Sequence, residues 1–145
     1  MARRDIDKLH DEIEELFADL WQVPRFAGTR RGFRPNVDSF HAEDSNGLTV
    51  VVEVPGVDPE SLNLVVGERM LVIEGERRRP KVVGYVSYQQ MEIEYGPFQR
   101  QVRLPKNVDP QRAHARYENG MVTITLPVID RPVPRGRVSI EVGAG

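Results

Sequence analysis

The run Tyr117-Glu118-Asn119-Gly120-Met121-Val122-Thr123-Ile124-Thr125-Leu126 decides the class of fold. Val122, Ile124 and Leu126 alternate with Thr123 and Thr125, which makes one side of an extended strand apolar and the other polar. Ahead of them, Asn119-Gly120 puts two residues that tolerate positive φ between strand-like runs, a strong local hairpin signal. The same period of two recurs on the N-terminal side. Leu48, Val50, Val52 and Val54 alternate with Thr49, Val51 and Glu53, and Leu62, Leu64 and Val66 alternate with Asn63 and Val65. Leu71 and Ile73 flank Val72, and Val102 and Leu104 flank Arg103. Asn46-Gly47, Pro55-Gly56, Asp58-Pro59 and Asp109-Pro110 supply turns between these runs. The pattern predicts an all-β fold, an immunoglobulin-like antiparallel β-sandwich over about residues 36–128, with a strand beginning near His41.

The flanks have a different texture. In residues 1–35, Ile6, Leu9, Ile13, Leu16 and Leu20 fall at alternating spacings of three and four, and Phe17 and Trp21 widen the stripe. This predicts an amphipathic helix with Asp7, Asp11, Glu14 and Glu15 on its polar side. Pro24 ends it, and a flexible linker with Arg25, Arg30, Arg31 and Arg34 follows. Residues 129–145 form a tail in which Pro132 and Pro134 are expected to keep the chain extended and off the sandwich. Beyond them, Ile140-Glu141-Val142 sends two branched apolar side chains to one side if extended. A tethered segment of this kind can add itself beside a sheet edge. Between two confident strands lies the connection 77–94, with Arg77, Arg78 and Arg79 ahead of Pro80 and then a strand-like stretch carrying Tyr85, Tyr88, Met91 and Ile93. Connections of that length inside a compact domain usually make contacts elsewhere.

Composition narrows the function. The 145 residues carry 20 Lys and Arg against 22 Asp and Glu, a formal net charge of −2, which argues against a nucleic-acid binder. There is no cysteine, so thiolate metal sites and cysteine nucleophiles are excluded. The longest apolar stretch, Leu48–Val54, is interrupted by Thr49 and Glu53 and falls far short of the ~20 residues that span a bilayer. The acidic residues Asp5, Asp7, Asp11 and Glu12 occupy the place where a signal peptide would be apolar, and a cytoplasmic protein is expected. His10, His41 and His114 form no metal-binding spacing, and no nucleophile elbow or phosphate loop occurs. Glu92 and Glu94 alternate as solvated residues of one strand face do. An enzyme is not expected, nor is a cofactor or metal. The residues point to association instead.

Several blocks together resemble the small heat-shock protein family, whose members carry an α-crystallin domain. Gly96-Pro97-Phe98-Gln99-Arg100-Gln101-Val102-Arg103-Leu104-Pro105 is similar to the family's G-x-F-x-R block ending in L-P. Ala113-His114-Ala115-Arg116-Tyr117-Glu118-Asn119-Gly120-Met121-Val122-Thr123-Ile124 resembles its hairpin block, an Ala followed about five residues later by N-G and two apolar residues, with Met121 where Val or Leu is usual. Val54-Pro55-Gly56-Val57, Leu71-Val72-Ile73-Glu74-Gly75-Glu76 and the tail Ile140-Glu141-Val142 match in order and spacing.

The resemblance to the bacterial and plant type implies dimers made by exchanging a strand from the long loop, here Tyr85, Tyr88, Met91 and Ile93, with Arg100 at the interface arginine position. It implies larger homo-oligomers built from those dimers through tails. Ile140 and Val142 would enter a groove on a neighbouring subunit, lined by Leu64, Val66, Ala113 and Ala115. Burying two such side chains is worth roughly 3–6 kcal/mol before ordering costs, which suits an exchangeable contact. The expected activity is an ATP-independent holdase for partly unfolded proteins. Its client-binding arm would carry Ile6, Leu9, Ile13, Leu16, Phe17, Leu20 and Trp21. Two alternatives are a co-chaperone-like docking module, which lacks such a loop and tail, and a membrane-surface stress protein, which the acidic helix face disfavours.

Overall fold

The computed structural model describes residues 32–143. Among these described residues nine strands form: β1 (Val37–His41), β2 (Gly47–Glu53), β3 (Asn63–Gly67), β4 (Met70–Arg77), β5 (Gly96–Arg103), β6 (His114–Glu118), β7 (Met121–Pro127), β8 (Gly136–Arg137) and β9 (Ile140–Val142). One sheet has the order β1-β2-β7-β6-β9 and the other β5-β4-β3-β8. The two pack as the sandwich that period-two alternation requires. Leu48, Val50 and Val52 of β2, Val122, Ile124 and Leu126 of β7, Leu64 and Val66 of β3, Leu71 and Ile73 of β4 and Phe98 of β5 meet in one core.

Local chemistry explains the connections. Asn119 and Gly120 hold φ of 54° and 76°, as a tight hairpin between β6 and β7 requires. Asp58 and Asp109 each begin a 3-10 turn, over Pro59–Ser61 and Pro110–Arg112, by accepting the backbone N–H two residues on at 3.0 Å. Proline opens each turn at the position where its missing N–H costs nothing. The β3–β4 hairpin is less orthodox. Glu68 and Arg69 both adopt positive φ, 54° and 59°, without asparagine or glycine. Arg69 anchors this turn by donating from Nη2 to the Pro105 carbonyl at 3.0 Å, while its own carbonyl accepts from Leu104 N–H at 2.8 Å.

Three expectations are corrected. The strand near His41 ends there rather than beginning, and Val37, Ser39 and His41 alternate too weakly to have marked it. The stretch Tyr85–Ile93 forms no strand, and every residue from Arg78 to Glu94 is exposed. Among the described residues this segment pairs with no strand of its own chain. The tail does not stay off the sandwich: β8 pairs with β3, and β9 pairs in parallel with β6. Unlike Pro132 and Pro134, the residues after them carry backbone N–H groups, and β8 and β9 pair.

Candidate oligomerisation and client-binding surfaces

The tail seat forms where the sandwich is open between β3 and β6. β8 lies beside β3, with Arg137 opposite Val65, and β9 lies beside β6, with Ile140 opposite Ala115 and Val142 opposite Tyr117. The residue bridging the two sheets is Val138. It is 5% exposed within the core, and its N–H donates to the Leu64 carbonyl at 2.9 Å. At the far end Gly143 N–H donates to the Tyr117 carbonyl at 2.7 Å. Backbone ladders therefore hold the tail, and side chains choose its register.

Of the residues proposed to line this groove, Leu64, Val66 and Ala115 are buried core residues and Ala113 packs against the core half-exposed. Ile140 packs against the same cluster, whereas Val142 remains 60% exposed. The two tail residues are thus unequal. In the single chain its own tail occupies the seat that the resemblance assigns to a neighbouring subunit's tail. Val138 belongs with them. Its signal was present in the sequence, because Val138, Ile140 and Val142 share one period-two face. A polar clasp lies outside. Arg116 donates to Glu118 at 2.7 Å and to Glu141 of β9 at 3.4 Å. Hydrogen bonding to Glu118, then the charges of Glu118 and Glu141, raise the Arg116 guanidinium above its ordinary pKa. Arg135 pairs with Glu68 at 2.8 Å.

The opposite side of the sandwich ends in β1 and β5, the edge strands of the two sheets among the described residues. Arg100 sits on the core-facing side of β5, across from Ile73, and its Nη1 donates to the buried Pro35 carbonyl at 2.7 Å. Burial, then the Arg34 charge, lowers its pKa. Phe33 stands edge-on to Phe98 with ring centroids 5.5 Å apart, so the chain entering from the N-terminal side arrives at β5.

The long connection leaves from the same side. Arg77, whose role as a clamp no local pattern marks, ties its root together. Nε donates to the Glu94 carbonyl at 2.8 Å, Nη1 donates to the Pro55 carbonyl at 3.2 Å, and the guanidinium lies 3.6 Å over the Phe33 ring. Arg79 stacks on Tyr95 at 4.7 Å and Tyr88 at 5.3 Å. Beyond this root, Val82, Val83, Tyr85, Val86, Tyr88, Met91 and Ile93 are all exposed. So many large apolar side chains on one excursion are unusual for a surface that stays in water. The proposed client-binding residues Ile6, Leu9, Ile13, Leu16, Phe17, Leu20 and Trp21 lie outside the described residues. Among the described residues, no group of three or more His, Asp or Glu could hold a metal, and no helix is long and apolar enough to cross a membrane.

Residues 41–143 match the model of the Hsp20/alpha crystallin family. Among curated proteins, the chain is 28% identical to small heat shock protein C2 of Rickettsia felis over 127 residues, covering 88% of this chain and 79% of the relative. It is 34% identical to alpha-crystallin of Mycobacterium tuberculosis over 129 residues, covering 88% and 85%. Among solved structures, a small heat-shock protein from Xylella fastidiosa, described as having a distinct high order structure, superposes with a TM-score of 0.58 at 27% identity. That match covers 77% of this chain and 98% of the other.

Proposed function

The chain belongs to the Hsp20/alpha crystallin family of small heat-shock proteins, and we propose that it is an ATP-independent holdase that captures partly unfolded proteins and keeps them from aggregating. Three segments divide the work: an N-terminal arm at 1–35 that binds clients, the sandwich at 36–128, and a tail at 129–145 that links subunits. The protein works in the cytoplasm and holds its clients without catalysis.

One observation carries the assembly part of this reading. The tail is a separable strand, held at an edge by backbone ladders, one buried residue (Val138) and one half-buried residue (Ile140). A seat that accepts the chain's own tail accepts the identical tail of a second copy through the same hydrogen bonds, and exchange between copies links them. Dimers form on the opposite side. Tyr85, Tyr88, Met91 and Ile93 leave water by crossing to a partner, where the free flank of β1 offers a ladder to an extended segment. Arg100 stands beside that edge and fixes Pro35, immediately ahead of β1.

Light scattering from a heat-labile client, warmed without nucleotide, tests the reading. Suppression of aggregation near stoichiometric amounts of this chain is expected. No suppression, from a protein running as a monomer, would favour a docking module.

A further inference from the structure

Val65 and Val72 face each other across β3 and β4, and both are 0% exposed. The pleat nevertheless turns them away from the sandwich core. Their chain neighbours Leu64, Val66, Leu71 and Ile73 fill the core cluster, and neither Val65 nor Val72 belongs to it. Met70, two residues before Val72 and on the same outer face, is 9% exposed. The outer face of the other sheet is more polar, with Thr49, Thr123, Thr125, His114 and Arg116 around Val51 and the half-exposed Phe40. The outer face of the sheet β5-β4-β3-β8 therefore has an apolar centre, Val65, Val72 and Met70, that is shut off from water, while Gln101, Arg103 and Arg137 beside it are exposed.

We infer that this back is the resting seat of the chain's own N-terminal segment 6–21, docked in cis through its apolar stripe. Three observations select that occupant. The stripe of Ile6, Leu9, Ile13, Leu16, Phe17 and Leu20 is an extended apolar surface outside the sandwich, and the other such stretch, from Val82 to Ile93, stays exposed. The reach is sufficient: Phe33 packs on Phe98 of β5, the edge strand of this same sheet. Residues 22–31 can then span up to about 35 Å when extended. Charge also matches. Arg103 lies opposite Met70 and Arg137 opposite Val65, so the patch is basic on that side, while Glu74 borders it at the other end and Glu68 pairs with Arg135. At helical spacing, Asp5, Glu12 and Asp19 recur every seven residues along one flank of the stripe. A helix lying stripe-down sets that acidic row beside arginines. The consequence is a paired store of apolar surface, in which leaving the seat exposes the arm and the sheet back together.

Cross-linking within the full chain tests this, because the protein has no cysteine of its own. His10 flanks the stripe and Gln101 lies opposite Val72 on the sheet back, so H10C/Q101C is the reporting pair. H10C/T123C, with its second thiol on the outer face of the other sheet, is the control. Mild oxidation should close H10C/Q101C within one chain several-fold faster than H10C/T123C. Adding Arg103→Glu and Arg137→Glu should slow it several-fold. Equal rates for the two pairs, products joining two chains only, or a rate indifferent to the charge reversals would each overturn the assignment. The measurement needs no client, so it stands or falls separately from the holdase reading.

Discussion

A methyl group on Gly67 would stand 2.7 Å from the Cα of Arg135, so β3 and the incoming tail touch backbone to side-chain root with no room for a Cβ. Gly67→Ala forces the tail to shift, since the obstructing atom is main chain and not a flexible side-chain end. A loss of about 1–3 kcal/mol from tail docking is expected. Hydrogen exchange at the Val138 amide, which reports its bond to the Leu64 carbonyl, should accelerate while the amides of β2 and β7 keep their protection.

Ile140 and Val142 should not contribute equally. Ile140 packs against the core cluster and Val142 is 60% exposed, so Ile140→Ala costs about 1–2 kcal/mol of tail docking and Val142→Ala only a fraction of that. The double variant should lower the mass of the assembly measured by multi-angle light scattering. An unchanged mass would remove the tail from assembly.

Arg77→Lys keeps the charge but loses the geometry. An ammonium cannot donate to the Glu94 and Pro55 carbonyls and also lie flat over Phe33, as the guanidinium does. Stability should fall by about 1–2 kcal/mol, in line with the loss of two hydrogen bonds to partly exposed groups. Trypsin should cleave after Lys81, a short way along the connection, several-fold faster than in the parent chain.

Arg100→Ala leaves the buried Pro35 carbonyl without its 2.7 Å donor. About 1–3 kcal/mol of destabilisation is expected for a stranded acceptor. If the β1 flank receives a partner strand, sedimentation at falling concentration should also show earlier dissociation of dimers. Tyr85→Ala with Ile93→Ala should reproduce that dissociation without lowering the stability of the sandwich, because both side chains are exposed in the single chain.

Alternation made most strands readable, and the reasons for the misses are local. Val122, Ile124 and Leu126 announce a strand because one side is packed and the other solvated, and the structure places all three in the core. β1 has only Val37 packed against that core, and its other large apolar residue, Phe40, is 52% exposed, so no periodic signal arises. The β3–β4 turn hides for another reason. Glu68 and Arg69 hold left-handed backbone through tertiary bonds from Leu104 and to Pro105, which no local pattern records. Arg77 was invisible as a clamp because its partners Phe33, Pro55 and Glu94 are distant in the chain.

Reading residues alone determined the class of fold, the hairpin at Asn119-Gly120, the two Asp-Pro turns and the existence of an apolar tail motif. These depend on propensities and periodicities that act over a few residues. Only the tertiary structure decided where the tail sits, that Val138 rather than Val142 is its buried residue, and that the residues from Arg78 to Glu94 make no strand in a single chain. It also decided that Val65 and Val72 lie buried on the outer side of their sheet. Each of these depends on which distant backbone edge or face lies within reach. That is settled by the packing of two whole sheets, since an unpaired edge and a paired one can carry the same residues.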